Sequence, residues 1–429
     1  MPINSRRAVF TCLGLHTPIG NTPAAFWQAL LDGTSGIRTI QAFDTSPLHC
    51  RIAGELIGYD PRSFLPATMK DARKAVGRLA RTVQIGVTAA QQALSNGGPA
   101  KGQIDPFRFG IEYACVMVAT ELEDIVGGAF ASTKHVPLGE VDLNEWGTDG
   151  LKEVPPLWML KYLPNMPACH ASIIADAQGP NNSHTATDVA GLLALGEAYR
   201  ILQRDGADFF LVGGCESKIN PLSLSRYNTF APLTRSHNDD PANAVRPFDA
   251  ARDGAVLGEG AAVLGLEFIE TAQARGAAIS AELVGFACGF DRGKTGHGLA
   301  NVILNALRYA GIQPADVDHV NAGAGGWVDL DAWEARGIQE SLGNDVPVVA
   351  YKGHIGNTGA AAGLVELAAS VLALQSGQLP GTVNHTKPDP ACPVRVHTGT
   401  PRQVTKPYAL KLSFTEAGQC AAVVIRKWG

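Results

Sequence analysis

Residues 179–198, GPNNSHTATDVAGLLALGEA, run from a strand end through a tight turn into the first turns of a largely apolar helix. Such a turn presents one side chain at a helix N-terminus, where orphan amides and the helix dipole activate nucleophiles and hold anions. Here that side chain is Asp188. A carboxylate in this place is stabilised as the anion, which makes it a weak nucleophile. Its plainer reading is the acidic residue that a first helical turn favours. A second stretch, YKGHIGNTGAAAG (351–363), sets Lys352, His354 and Asn357 before another Gly/Ala-rich helix start, and SFTEAG (413–418) adds Phe414 and Glu416. A buried carboxylate needs a partner, so Lys352 is expected to pair with Asp188 or Glu416. His184 and His354 flank these stretches, and isolated histidines of this kind most often serve as ordinary core or surface residues.

The elements that must position these residues alternate along the chain. In the first part, RAVFTCLGL, FGIEYACVMVA and ADFFLVGGCE read as strands; helices fall near 23–33, through TVQIGVTAAQQAL and from 188 onward. The second part repeats the scheme. AAVLGLEFI, SAELVGFACGF and VDHVNAGAG read as strands, GLANVILNALRYAGI, DLDAWEARGIQESLG and GLVELAASVLALQSG as helices, and YALKLSF as the last strand. This alternation predicts an α/β fold with a largely buried sheet. The Gly/Ala-rich helix starts TDVAGLLALGEA and NTGAAAGLVELAASVL, one in each part, point to two similarly wound halves, 1–267 and 268–429. The least regular stretch, 132–165, rich in Pro and Trp, reads as a surface excursion or a partner-binding insertion.

At 429 residues with 45% hydrophobic content the chain can bury a large core. Its net charge of −5 and the lack of any dense Lys/Arg run argue against nucleic acid or an anionic membrane as partner. No signal-peptide pattern opens it and its apolar runs stop short of a membrane span, so a cytoplasmic location is expected. The eight cysteines are scattered without C-x-x-C and the eleven histidines are dispersed, so reduced core thiols are expected and neither metal nor cofactor is called for.

Four stretches together, RAVFTCLGLHTPIGNTPAAFWQALLDGTSGI, AVRPFDAARDGAVLGEGAAVLGLE, YKGHIGNTGAAAGLVELAASVLALQSGQLPGTVNHTKPDP and LSFTEAGQCAAVVI, resemble the elongating β-ketoacyl synthases of fatty acid and type II polyketide synthesis, across nearly the whole chain. The resemblance implies a thiolase-like fold with two α/β halves in α-β-α-β-α layers. It also implies an acyl thioester on an acyl carrier protein as partner, and a dimer, either with itself or with an active ketosynthase. The departures from the family pattern are as telling. Matching GPNNSHTATDVAG puts Asp188 at the cysteine nucleophile, HVNAGAGGW puts Gly323 at the first histidine of Val-Asn-Ala-His-Gly-Thr, and KGHIGNTGAAAG retains the lysine as Lys352 but puts Asn357 at the second histidine. SFTEAG stands for Ser-Phe-Gly-Phe-Gly-Gly, so Glu416 falls at the gating phenylalanine and Thr415 and Ala417 at its flexible glycines.

Decarboxylative condensation needs a thiol to carry the acyl chain and donors to stabilise the enolate, and losing one such donor typically costs ~3 kcal/mol. Three function classes follow: a non-condensing homologue that partners an active synthase, as chain-length factors do; an acyltransferase, hydrolase or decarboxylase built on Asp188, Lys352, His354 or Glu416; and a scaffold that holds an acyl chain or carrier protein. Simultaneous loss of all three triad members favours the first. Around the degenerate positions, His184, His354, Phe414 and Glu416 are the expected pocket lining.

Overall fold

The computed structural model describes residues 6–116 and 118–429. Seven strands belong to the first half: β1 (Ala8–His16), β2 (Ile37–Thr39), β3 (Ile52–Gly54), β4 (Phe109–Ala114), β5 (Asn181–His184), β6 (Phe209–Glu216) and β7 (Gly260–Phe268). Eight follow: β8 (Ala281–Phe290), β9 (Val317–Asn321), β10 (Pro347–Val349), β11 (Gln378–Leu379), β12 (Arg395–Val396), β13 (Arg402–Gln403), β14 (Tyr408–Phe414) and β15 (Gln419–Lys427). Eleven of them form one sheet in the order β12-β10-β9-β14-β15-β8-β1-β7-β6-β4-β5.

The order is repeated about its centre. Strands β5, β4 and β6 run parallel and are followed by antiparallel β7 and β1. Strands β10, β9 and β14 run parallel and are followed by antiparallel β15 and β8. The halves join where Ala8–Phe10 of β1 pair with Ala281–Leu283 of β8. Helices Ala190–Gln203 and Ala362–Ser376 pack against strands of both halves and form the middle layer. Helix Arg81–Ser95 covers β1, β6 and β7 from outside, and His297–Ala310 covers β8 and β15, which completes five layers. Ala362–Ser376 is buried almost all round because it packs on strands from both halves of the sheet and on the other middle-layer helix, and its apolar composition reflects that place in the core.

Three readings of the sequence are corrected. YALKLSF is not the last strand: β15 follows it and pairs with both β14 and β8 near the middle of the sheet. FGIEYACVMVA ends its strand at Ala114, with Met117 outside the described residues. The 132–165 stretch is helical through most of its length, packing the Leu122–Thr133 helix on a π-turn at Trp146–Gly150 and continuing into short helices at Leu151–Glu153 and Trp158–Tyr162. Gly128 lets the Trp146 ring approach, since a Cβ there would lie 3.1 Å from that ring. All eight cysteines are free, and six are buried.

Candidate functional site

The turn that carries Asp188 is strained. After β5 the chain reaches Thr187 at φ 45°, a left-handed conformation that a β-branched residue rarely adopts, and a 3-10 turn over Thr187–Val189 then opens the Ala190–Gln203 helix. The Ser413 hydroxyl donates to the Asp188 carbonyl at 2.6 Å, which ties this turn to the end of β14. The Asp188 Oδ1 atom is buried with no hydrogen-bond partner. Two buried lysines feel its charge, Lys218 and Lys352, together with Glu216.

Glu216 ends β6. Its Oε1 lies 2.5 Å from the Lys218 ammonium, and its Oε2 accepts from the Ala360 amide at 2.6 Å. That contact requires glycine at 359, because a Cβ there would sit 1.9 Å from the carboxylate and φ is +54°. Burial disfavours the Lys218 ammonium, yet Glu216 outweighs it and raises the lysine's pKa.

Gly323 follows β9 on a loop organised by Asp331, whose carboxylate accepts from the amides of Phe248, Gly325, Gly326 and Trp327 at 3.0 to 3.2 Å. The Gly323 amide donates to Glu334 Oε1 at 2.7 Å. The other Glu334 oxygen is buried and unpartnered, and desolvation pushes this carboxyl up to about 8. The Phe414 ring stands edge-on to Trp333 at 4.9 Å and to Trp327 at 6.3 Å. A Cβ at 323 would come within 3.0 Å of the Phe414 ring and 3.5 Å of Glu334 Oε1, so a side chain there would need the ring to give by a few tenths of an ångström and would touch the carboxyl at ordinary contact distance.

Lys352 is buried and pairs with Glu366 Oε1 at 2.7 Å. Glu366 Oε2 pairs with Lys411, whose ammonium also donates to the carbonyls of Asn321 at 3.3 Å and Ala322 at 3.0 Å. Burial opposes charge on every member of this network. Glu366 and then Asp188 outweigh it at Lys352, which is raised; the two lysines outweigh it at Glu366, which is lowered; at Lys411 burial dominates and lowers the pKa. Asn357 braces the loop beside it. Its amide donates to Val256 O at 2.7 Å, its carbonyl accepts from Gly258 at 2.9 Å and its side-chain oxygen accepts from Gly359 at 3.2 Å.

The fold therefore brings Asp188, Gly323, Lys352, Asn357 and Phe414 to one meeting point of the two halves and leaves three expected residues outside it. Glu416 is exposed on the turn between β14 and β15, and its backbone carbonyl accepts from Lys294 at 3.1 Å, so it pairs with no pocket lysine. His184 lies at the sheet edge, 2.7 Å from Glu112. His354 is fully buried, donates from Nδ1 to the Thr34 carbonyl at 2.8 Å, and is kept neutral by desolvation. The expected partners of Lys352, Asp188 and Glu416, give way to Glu366, because the lysine reaches along its own segment to the helix that follows. Glu366, Lys411 and Glu334 escaped the sequence reading, although Glu366 and Lys411 are each the one charged residue inside an apolar run (GLVELAAS, YALKLSF). Cavities of about 410 and 450 Å³ lie elsewhere, one beside Leu30 and Asn384 and one beside Tyr59 and Arg81.

Comparison with known proteins agrees with this architecture. The β-ketoacyl synthase N-terminal domain family matches residues 5–272 and the C-terminal domain family residues 280–386. The 3-oxoacyl-[acyl-carrier-protein] synthase 2 of Synechocystis is 33% identical, with 99% of each chain covered. The ishigamide ketosynthase/chain length factor superimposes with a TM-score of 0.84 at 25% identity, covering 99% of this chain and 100% of that one. A type II PKS acyl-carrier protein in complex with its ketosynthase bound to the hexaketide gives 0.81 at 25% identity over 99% and 100%. With two family domains spanning most of its length and a whole-chain relative at this identity, the chain belongs to the β-ketoacyl synthase family, as a ketosynthase-like protein of fatty acid and polyketide biosynthesis.

Proposed function

We propose that this chain is a non-condensing ketosynthase homologue that acts in the cytoplasm as a chain-length-factor-like partner subunit, engaging an acyl chain and its carrier protein alongside an active ketosynthase. The observation that carries this reading is the lack of reacting groups at the site. Asp188 stands at the strained helix start in place of a thiol, and Gly323 has no side chain to donate beside Phe414 and Glu334. A carboxylate cannot hold an acyl group as a stable thioester does, and Asn357, whose side-chain oxygen accepts from Gly359, is a neutral amide that cannot transfer a proton. The similarity to a ketosynthase/chain length factor adds support.

Incubation with acyl carrier protein thioesters and malonyl carrier protein, followed by intact mass and product analysis, tests it. The chain alone is expected to gain no acyl mass and give no elongated product. Asp188→Cys is expected to fold and still not condense, because both histidines are still missing, and losing one oxyanion donor alone costs ~3 kcal/mol in the transition state. An acylated wild-type protein, or an active Asp188→Cys synthase, would overturn the reading.

A further inference from the structure

Lys411 is the one charged residue of YALKLSF and is fully buried in β14. It stands opposite Asn321 in the parallel pairing with β9, and its ammonium meets the carbonyls of Asn321 and Ala322 where that strand ends. With Glu366 Oε2 these make three oxygen acceptors, all on buried residues. The count matters, because an ammonium has three N–H donors and a neutral amine has two. A neutral lysine would leave one buried oxygen without a hydrogen, so the set of acceptors fits the cation. Burial lowers the pKa of Lys411 and Glu366 opposes that shift.

The oxygens are held in place by groups other than this lysine. Asn321 Nδ2 donates to the Glu366 carbonyl at 2.6 Å and to Ser370 Oγ at 2.9 Å, the Ala322 amide donates to the Val349 carbonyl at 2.8 Å, and Glu366 Oε1 is paired with Lys352. The side-chain oxygen of Asn321 is buried without a partner as well. Backbone carbonyls and a carboxylate oxygen turned on one positive centre are the ligands of a hard cation. Size and charge narrow the choice. The carbonyl distances of 3.0 and 3.3 Å exceed the ~2.0 to 2.6 Å at which magnesium and calcium hold oxygen. One carboxylate, already shared with Lys352, also offers too little negative charge for a divalent ion.

We propose that Asn321, Ala322 and Glu366 form a cage for a monovalent cation of ammonium size, and that the tethered ammonium of Lys411 is its permanent occupant in this chain. The cation fastens the segment that runs into Gly323 to the middle-layer helix, and the tether makes that fastening independent of the ions in solution. The proposal stands apart from the partner-subunit reading. Lys411→Ala deletes the ammonium and all but the first carbon of its stem, the outline of propylammonium. Urea unfolding of wild type, Lys411→Ala and Lys411→Met is followed in lithium, potassium and propylammonium chloride at one ionic strength, about 0.3 M, so that screening is common to all. Relative to lithium, and with wild type as the reference for general salt effects, potassium and propylammonium are each expected to raise the folded-to-unfolded ratio of Lys411→Ala about threefold or more, saturating with concentration. Wild type, whose cage is filled, is expected to show no such preference, nor is Lys411→Met, whose uncharged side chain takes up the space. The double variant Lys411→Ala, Glu366→Gln is expected to lose the response. Indifference of Lys411→Ala to the cation, the result if Lys352 alone serves both Glu366 oxygens, overturns the proposal. So does failure of that variant to fold in any of the three salts, the same preference in wild type, or a response to propylammonium without one to potassium, which would reveal room for the stem and no cage for the charge.

Discussion

At the scale of single residues, Glu334 is a buried carboxyl whose protonation the fold controls. Desolvation raises its carboxyl to about 8, against the counter-effects of the Gly323 amide and the Lys411 ammonium, while a glutamate in the unfolded chain titrates near ~4.3. Between these values the folded chain keeps a proton that the unfolded chain has released. The contribution of Glu334 to stability is therefore complete below ~4.3 and is lost as pH rises toward about 8, at up to ~1.4 kcal/mol per pH unit. Glu334→Gln retains an oxygen for the Gly323 amide and cannot ionise, so denaturant unfolding at about pH 5 and about pH 8 should show a smaller loss for the variant than for the wild type. Parallel pH profiles for the two proteins would show that this carboxyl is ionised in the fold.

At the scale of elements, the Lys352–Glu366–Lys411 network fastens three pieces of chain: the Lys352–Ile355 turn, the middle-layer helix Ala362–Ser376 and β14. Removing Lys352 leaves one Glu366 oxygen buried without its cation and takes the nearby positive charge from Asp188, so Lys352→Ala is expected to destabilise the fold by ~3 kcal/mol. Glu366→Ala should cost more, since it strands two ammonium groups, and the Lys352→Ala, Glu366→Ala double variant should cost less than the sum of the singles. Equilibrium unfolding of the set checks the order, and strictly additive losses would count against a coupled network. Most helices and long strands were legible in the sequence because the hydrophobic period changes from 2 to 3.6 between them. Strand β15 was not, because QCAAVVI is buried on both faces and has no alternation to mark it. Strand β5, NNSH, is polar and exists through its pairing with β4, a contact between residues 111–114 and 181–184 that no local pattern marks. The site was legible at Asp188, Gly323, Lys352 and Asn357, where local motifs carry position. It was not legible where the fold joins remote residues, as with Lys411 and Glu366, or where a turn leaves the strand, as at Glu416, which reaches solvent although Phe414 two residues earlier is buried.

At the scale of the whole molecule, the halves share a core. The principal apolar cluster draws on β1, β6 and β7 of the first half, on β8 and β15 of the second, and on both middle-layer helices. Neither half can lose its structure without exposing the other's inner face, so thermal unfolding is expected to be a single cooperative transition, with calorimetric and van't Hoff enthalpies in agreement. Two resolved transitions would show that the β1–β8 seam is weaker than the shared core implies.

The surroundings of Gly323 also set the terms on which this site could change. On the reading proposed here, a condensing site requires histidine at 323, and a Cβ there asks the Phe414 ring to give by a few tenths of an ångström and leaves Glu334 in ordinary contact. The matching motif Ser-Phe-Gly-Phe-Gly-Gly carries an aromatic residue at the place of Phe414, so ring and histidine are compatible neighbours. The silence of the site is therefore a matter of chemistry and not of crowding: three separate replacements, at 188, 323 and 357, each without use until the others are made, stand between this chain and a condensing one.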